Sequence, residues 1–171
     1  MARPVPIRPV TVRSVASPDF VPIAALTNQF IEKTAIHFGY EPVTPDELET
    51  LHTKYAGKYP YLIAEIEGRF AGYAKAGVWR DRAAYQWTTE VGIYVEPALH
   101  RSGVGRALYG RLIAELRAAG FHSAVGGITL PNEASVRLHE AMGFVKVAHF
   151  AHAGYKFNMW HDVGFWQLML A

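Results

Sequence analysis

Apolar residues recur at two different spacings along the chain, and the change between them separates predicted helices from predicted strands. In residues 18–31 they follow a helical spacing. The segment Thr44-Pro45-Asp46-Glu47 has the form of a capping box with proline in the first turn. The first third of the chain is therefore predicted to form two helices, the second ending near Gly57, with a loop at residues 34–43 between them.

Runs rich in β-branched and aromatic residues dominate the rest of the chain and are typical of strands. A tight turn is expected between the second and third strands, and an aromatic loop before the last. The predicted strands cover residues 11–15, 61–67, 70–79, 85–95, 123–128, 145–150 and 163–170.

Two further helices are predicted, one from leucines at helical spacing before Gly120 and one from Pro131-Asn132 to Gly143. The resulting order, β-α-α-β-β-β-α-β-α-β-β, contains no repeat and no linker. It predicts a single α/β (α+β) domain over residues 10–171, in which helices cover a mixed sheet. Residues 1–9 are expected to be a flexible lead-in.

Composition narrows the possible classes of protein. Half of the 171 residues are apolar, which favours a buried core, and a net charge of +2 gives no indication of a nucleic-acid partner. The absence of cysteine excludes disulfides and a cysteine acyl-enzyme, and is typical of a reducing compartment. No apolar run approaches the roughly 18 residues of a membrane span. We therefore expect a cytoplasmic protein with no nucleic-acid or membrane partner. His149, His152 and His161 form no recognised ligand pattern, so no metal is expected.

The segment His100-Arg101-Ser102-Gly103-Val104-Gly105 lies between a strand ending at Val95 and a predicted helix. Glycines let the backbone turn sharply, and the amide groups at a helix N-terminus attract anions, so the segment indicates a phosphate cradle. It lacks the Gly-Lys-Ser/Thr of a P-loop, and Leu108 stands where a dinucleotide fingerprint needs a small residue.

This segment resembles the pyrophosphate loop Gln/Arg-x-x-Gly-x-Gly/Ala of the GNAT acetyltransferase superfamily, with His100 at the first position. The stretch from Asn132 through His139 to Gly143-Phe144 is similar to the Asn…Tyr…Gly-Phe segment of that superfamily. More specifically, Trp87-Thr88-Thr89-Glu90 and Trp160-His161-Asp162-Val163-Gly164-Phe165-Trp166-Gln167 look like the phosphinothricin and methionine sulfoximine N-acetyltransferases.

The resemblance implies a mostly antiparallel GNAT sheet, acetyl-CoA as cosubstrate, a small-molecule amine as acceptor and a homodimer. Glu90 is the candidate base for the acceptor α-amine, the alternative being an ordinary strand carboxylate. His139 is the candidate acid. The implied cofactor contacts are Ile93, Tyr94, Val95, Arg101, Ser102, Gly103, Val104, Gly105, Arg106 and Asn132. The implied acceptor contacts are Phe38, Arg80, Arg82, Glu90, Tyr155 and Lys156.

Without cysteine or a Gly-x-Ser-x-Gly elbow, direct acetyl transfer in a ternary complex is the expected mechanism. The expected acceptor is a small amino-acid-like molecule such as phosphinothricin or methionine sulfoximine. Two alternatives stay open: an enzyme for another amine, such as a polyamine, an aminoglycoside or a protein N-terminus, and a regulatory domain that binds acyl-CoA without catalysis.

Overall fold

A computed structural model describes residues 9–55 and 57–171. The lead-in predicted for residues 1–9 lies outside this part of the chain except for its last residue. The described residues form seven strands and four α-helices. They are β1 Val10–Ser14, α1 Phe20–Lys33, α2 Pro45–Lys54, β2 Tyr61–Ile66, β3 Arg69–Val78, β4 Thr88–Val95, α3 Val104–Ala118, β5 Ser123–Leu130, α4 Glu133–Ala141, β6 Val145–Lys156 and β7 Met159–Met169.

The strands form one mixed sheet in the order β1-β2-β3-β4-β5-β7-β6. Every pairing is antiparallel except that of β4 with β5. This confirms the predicted fold class, an α/β domain with a mixed, mostly antiparallel sheet. No helix in the described part of the chain has the length and apolar character needed to cross a membrane.

The β4–β5 pairing is short and sets the position of the site. Only Thr88–Glu90 pairs with Ser123–Val125, although β4 continues to Val95 and β5 to Leu130. Beyond the paired residues the two strands separate, and the sheet has an opening at their carboxyl ends. Topological breaks of this kind are common binding sites in α/β sheets.

Helices cover both faces of the sheet because its strands carry apolar residues on both sides. One face packs against α3, where Leu108, Leu112 and Leu116 are completely buried. The other packs against α1 through Ile23 and Leu26, which are equally buried. The opening between β4 and β5 therefore joins two helix-covered faces.

Three strand boundaries differ from the prediction by three or more residues. The sequence predicts an aromatic loop after residue 150, but β6 continues to Lys156 and β7 begins at Met159. Phe157 and Asn158 have φ values of 52° and 61°, the conformation of a two-residue type I′ hairpin turn. Nearly all of β6 is exposed, so it lacks the alternation of apolar and polar residues that identifies a strand. The strand predicted from residue 85 begins only at Thr88, because residues 83–85 form a 3₁₀ turn.

Candidate active site

The glycine segment forms the turn into α3. Gly103 is the N-cap residue with a φ of 89°, a left-handed conformation that glycine adopts without strain. The first amide bonded within the helix is that of Ala107, which donates to Gly103 O at 3.0 Å. The amides of Val104, Gly105 and Arg106 precede it and have no carbonyl partner in the preceding turn. This is the arrangement that binds anions at helix N-termini.

The surroundings of this turn add positive charge. Arg101 and Arg106 are exposed beside it. Ser102 Oγ donates to Leu99 O at 2.5 Å, which holds the turn closed. His100 Nε2 lies 3.3 Å from Val95 O and therefore contacts the end of β4 instead of extending over the turn.

The edge of β4 that faces the opening presents alternate backbone groups. Glu96 N donates to Ala71 O on the β3 side at 3.0 Å. Because successive residues of a strand direct their amides to opposite edges, Ile93 and Val95 direct theirs toward the opening. Gly92 pairs regularly with Lys75, so the bulge that a mid-strand glycine suggests is absent there, and no atom lies within 4 Å of the position a Cβ would take.

His139 is buried at the opening on the α3 face. Its Nδ1 lies 2.8 Å from Ser135 O, and its Nε2 lies 2.9 Å from the Tyr109 hydroxyl. A carbonyl oxygen only accepts, so Nδ1 carries the proton and the neutral Nε2 accepts from Tyr109. Burial lowers the pKa of His139, against the opposing effect of the Ser135 hydrogen bond, which favours this neutral form. A Cβ on Gly126 would lie 2.6 Å from Nε2, so glycine there allows the ring to approach β5.

A small cavity of about 60 Å³ lies beside this pair in the opening. Its lining includes Ile93, Tyr94, Asn132 and His139, four of the residues implied by the family resemblance, together with Tyr109. Asn132 is the N-cap of α4, and its Oδ1 accepts from Ser135 N at 3.2 Å. The cap thus fixes the first turn of α4, and Ser135 in that turn accepts from His139 Nδ1.

Glu90 lies on the other face of the sheet, in a cavity of about 440 Å³ between α2 and strands β3 and β4. Its side chain remains open to solvent, yet partial burial raises its pKa, against the opposing charge of Lys75. Glu90 pairs with Gly77 and Lys75 with Gly92, which makes the two charged residues diagonal neighbours on one face. Burial lowers the pKa of Lys75, and Glu90 partly offsets this.

The two cavities meet at the opening between β4 and β5. Both are lined by Val91, Gly92, Tyr94 and Gly127. Glu90 and His139 therefore approach the same opening from opposite faces of the sheet. A reacting group held there is accessible to a carboxylate on one side and to an imidazole with a phenol on the other.

Apart from Glu90, the predicted acceptor contacts lie in two places outside these cavities. Arg80 and Arg82 are exposed on the β3–β4 connection, where the Arg80 guanidinium lies 5.2 Å from the centroid of the Trp79 ring. Phe38 and Tyr155 lie near the end of the β6–β7 hairpin. A Cβ on Gly154 would lie 2.3 Å from the Phe38 ring, so that ring packs directly on β6.

Lys156 is 4% exposed, and its side chain forms hydrogen bonds with the segment that follows α1. Its Nζ donates to Ile31 O at 2.5 Å, Thr34 O at 2.9 Å and His37 O at 2.6 Å. The Tyr40 hydroxyl donates to Tyr155 O in the same region. The hairpin thus holds residues 34–40 in place, and this segment carries Ile36 into the lining of the small cavity.

Several side chains that line the cavities are not identified from the sequence, among them Tyr109, Lys75 and Tyr61. Tyr109 belongs to the apolar spacing of α3, and Tyr61 and Lys75 belong to strands without a recognisable motif. In the described part of the chain, no group of three or more His, Cys, Asp or Glu side chains is arranged to hold a metal ion.

Comparison with known proteins matches residues 12–164 to the acetyltransferase (GNAT) domain family. The chain is 44% identical to a phosphinothricin N-acetyltransferase of Streptomyces viridochromogenes, over 94% of this chain and 87% of that protein. It is 36% identical to an L-methionine sulfoximine/L-methionine sulfone acetyltransferase of Salmonella typhimurium, over 94% and 95%. A GNAT phosphinothricin acetyltransferase from Sinorhizobium meliloti, solved in complex with acetyl-CoA, superposes with a TM-score of 0.91 at 29% identity, over 95% of this chain and 89% of that one.

Proposed function

The chain belongs to the GNAT acetyltransferase family, and we propose that it transfers an acetyl group from acetyl-CoA to the α-amine of a small amino-acid-like acceptor. Phosphinothricin and methionine sulfoximine are the acceptors to test, because both compounds appear in the names of similar proteins. The observation that supports this most directly is the meeting of the two cavities at the β4–β5 opening, with Glu90 on one side and His139 on the other. The cysteine-free sequence fits a cytoplasmic location for the reaction.

The residues at the opening fit acetyl-CoA. The amides of Val104, Gly105 and Arg106 at the start of α3 bind the pyrophosphate, with Arg101 supplying charge beside them. A Cβ on Gly105 would lie 2.9 Å from Leu138, so glycine also lets α4 pack against this turn. Asn132 lines the cavity beside the pantetheine path.

The two proton-transfer roles lie on opposite faces of the sheet, with the base on the Glu90 side and the acid on the α3 side. The cosubstrate supplies an activated thioester carbonyl. Glu90 accepts a proton from the acceptor ammonium, which frees the amine to form the new C–N bond as the C–S bond breaks. The amides of Ile93 and Val95 donate toward the carbonyl oxygen, where negative charge develops. Transfer is direct, within a ternary complex.

The departing thiolate needs a proton, and the hydrogen bonds favour Tyr109 as its source. Neutral His139 has no proton on Nε2 because that atom accepts from the Tyr109 hydroxyl. We therefore assign the acid role to the Tyr109–His139 pair instead of to His139 alone. His139 orients the hydroxyl. The nitrogen loses its second proton to solvent as the amide forms, and the tyrosinate left by Tyr109 regains a proton from solvent.

The exposed arginines and the hairpin contribute to acceptor binding in this proposal. Arg80 and Arg82 supply guanidinium groups for the acceptor carboxylate, a geometry that arginine supports with two parallel hydrogen bonds. Phe38, Tyr155 and Lys156 shape the acceptor entrance, Lys156 by holding the segment that follows α1.

We also propose that two copies of the chain associate through the β6–β7 hairpin. β6 is an edge strand, and the end of the hairpin exposes an apolar patch formed by Tyr155, Phe157, Met159 and Trp160. Exposed apolar patches of this kind mark association surfaces. Light scattering should show a dimer that the double variant Phe157→Ser/Trp160→Ser converts to monomer, whereas Val21→Ser, at an exposed apolar residue of α1, leaves it dimeric. A wild-type monomer at high concentration would exclude this assembly.

The function is tested with a panel of amines and acetyl-CoA, by following release of the free thiol and the mass of the product. Acetylation of the α-amine of phosphinothricin or methionine sulfoximine supports the proposal. Activity confined to peptides, polyamines or aminoglycosides contradicts the acceptor class. Tight acetyl-CoA binding without turnover on any amine indicates a non-catalytic domain instead.

A further inference from the structure

Besides Glu90, the larger cavity is lined by polar side chains that have no role in the acetyl transfer step. Glu90 lies at the end of the cavity where it meets the opening. Farther along the same face, and away from the reacting centre, are Lys75 and Tyr61, which are directly paired across β2 and β3. Leu48, His52 and Tyr55, from the segment that covers this face, complete the wall.

The Tyr61 hydroxyl is a buried donor without a partner. The residue is 9% exposed, and among the described residues its hydroxyl is the buried side-chain polar atom that makes no hydrogen bond. A buried polar group without a partner is costly, so such groups in native structures usually have a role. Burial raises the pKa of Tyr61, which keeps the phenol protonated as a hydrogen-bond donor beside the cavity that this residue lines.

Lys75 brings a positive charge to the same place. Its Nζ lies 5.9 Å from the centroid of the Tyr61 ring, and it makes no hydrogen bond or ion pair with another described residue. Its nearest opposite charge is the diagonal neighbour Glu90. Once Glu90 has accepted the proton of the acceptor amine it is neutral, and Lys75 then lacks a counter-charge in a largely apolar cavity.

The spacing of these groups fits one acceptor molecule. Alternate residues of a strand lie roughly 6.6 Å apart on one face, which is the separation along β4 between Glu90 and Gly92, the partner of Lys75. An amino acid whose amine lies at Glu90 can therefore place the end of a short side chain at Lys75. Both Lys75 and Tyr61 are hydrogen-bond donors, so the group that they suit is an acceptor of hydrogen bonds with negative charge.

We infer that the cavity beneath α2 binds the acceptor side chain, and that Lys75 and the Tyr61 hydroxyl bind an acidic group at its end, such as a phosphinate or carboxylate. The inference rests on the proposed function and adds its side-chain specificity. The enzyme then prefers acceptors with an anionic side chain over neutral acceptors of the same shape.

Phosphinothricin and methionine sulfone make a matched pair for the test. Each carries a tetrahedral centre with a terminal methyl group after two methylenes, but the phosphinate is anionic and the sulfone is neutral. Wild-type enzyme should show a higher kcat/KM for phosphinothricin. Lys75→Met should lower that value roughly tenfold to hundredfold, as expected for a lost hydrogen bond to a charged group, mainly through KM. The value for the sulfone should change by less than about threefold, since a neutral group loses less.

The control is Lys54→Met, which removes the same charge from an exposed lysine of α2 that does not line the cavity. It should leave both values unchanged. Tyr61→Phe removes only the hydroxyl and should reduce the preference in the same direction by a smaller factor. KM for acetyl-CoA and the melting temperature report whether each variant folds. If Lys75→Met does not fold, Lys75→Gln and Tyr61→Phe carry the test.

The outcomes separate this inference from the function on which it rests. Wild-type enzyme that acetylates neither acceptor contradicts the proposed function. Wild-type enzyme that acetylates both without preferring the phosphinate contradicts the side-chain assignment alone. An equal fall for both acceptors in Lys75→Met also overturns it, because it shows that Lys75 acts only on Glu90.

Discussion

The Tyr109 hydroxyl lies 2.9 Å from His139 Nε2, and the hydrogen bond joins α3 to α4 directly beside the opening between β4 and β5. Tyr109 is fully buried and His139 is nearly so, which protects this bond from bulk water. The pair is therefore the protonated group best placed on the α3 face of the opening.

Removing the Tyr109 hydroxyl tests this assignment. Tyr109→Phe keeps the ring packing and should lower kcat by about 10²–10⁴, the usual contribution of a general acid. KM for acetyl-CoA should change little, because the variant removes no cradle contact. His139→Gln should have a comparable effect, and the double variant should be no worse than the more impaired single variant. A Tyr109→Phe enzyme with normal kcat under single-turnover conditions would show that another group protonates the thiolate.

Glu90 should control the acidic side of the pH profile. A base acts only when deprotonated, so kcat/KM should rise with pH through the pKa of Glu90, which burial raises. Glu90→Gln should remove this limb and lower kcat by about 10²–10⁴. Glu115→Gln, which breaks only an exposed i,i+4 pair with Arg111, is the matched control.

Lys75 should shift that same limb. Its positive charge lowers the pKa of Glu90, so Lys75→Met should raise that pKa and move the acidic limb to higher pH. The pH dependence of kcat/KM for a neutral acceptor measures this shift separately from acceptor binding. An unchanged profile would mean that solvent at the open cavity screens the two charges from each other.

The N-cap glycine of α3 and a glycine inside that helix should respond in opposite directions to replacement by alanine. Gly103 has a left-handed φ, so Gly103→Ala should cost about 1–2 kcal/mol of stability and raise KM for acetyl-CoA by displacing the amides. Gly110 lies inside α3 with open space where a Cβ would stand, so Gly110→Ala should stabilise by about 0.5–1 kcal/mol without changing KM. Thermal unfolding and acetyl-CoA kinetics on both variants check the pair.

Lys156 should act through the segment that it holds. Lys156→Met leaves three carbonyl groups without their donor, so the free energy of unfolding should fall by about 1–3 kcal/mol. Hydrogen exchange should increase in residues 34–40, and KM for the acceptor should rise more than KM for acetyl-CoA. Lys146→Met, at an exposed lysine of the same strand, provides the control. A rise in acceptor KM without faster exchange would instead indicate direct contact with substrate.

The sequence predicts those parts of the fold whose cause is local. The capping box at Thr44 begins α2 as expected, with Thr44 Oγ1 accepting from Glu47 N at 3.2 Å. Gly103 likewise turns the chain into α3. The long β6–β7 hairpin escapes prediction because an exposed edge strand needs no apolar alternation, and its turn at Phe157-Asn158 uses residues that are not the usual glycine pair.

The candidate site depends on contacts that no local pattern records. Tyr61 and Lys75 come together because β2 and β3 pair in one particular register. Tyr109 reaches His139 because α3 and α4 pack on the same face of the sheet. Each of these side chains has an ordinary place in its own element, and only the tertiary arrangement gives it a partner.

The early separation of β4 from β5 has a thermodynamic consequence. The amides of Ile93 and Val95 face a gap where a continuous sheet would supply hydrogen-bond partners. A pantetheine arm contains two amide groups and can occupy that gap as a short extra strand. Binding of acetyl-CoA therefore fills the gap in the sheet as well as supplying the acetyl donor. At a concentration of one hundred times its Kd, acetyl-CoA should stabilise the chain by about 2.7 kcal/mol. We therefore expect resistance to heat and to proteolysis to follow the concentration of acetyl-CoA, so that the lifetime of the protein depends on the supply of its own acetyl donor.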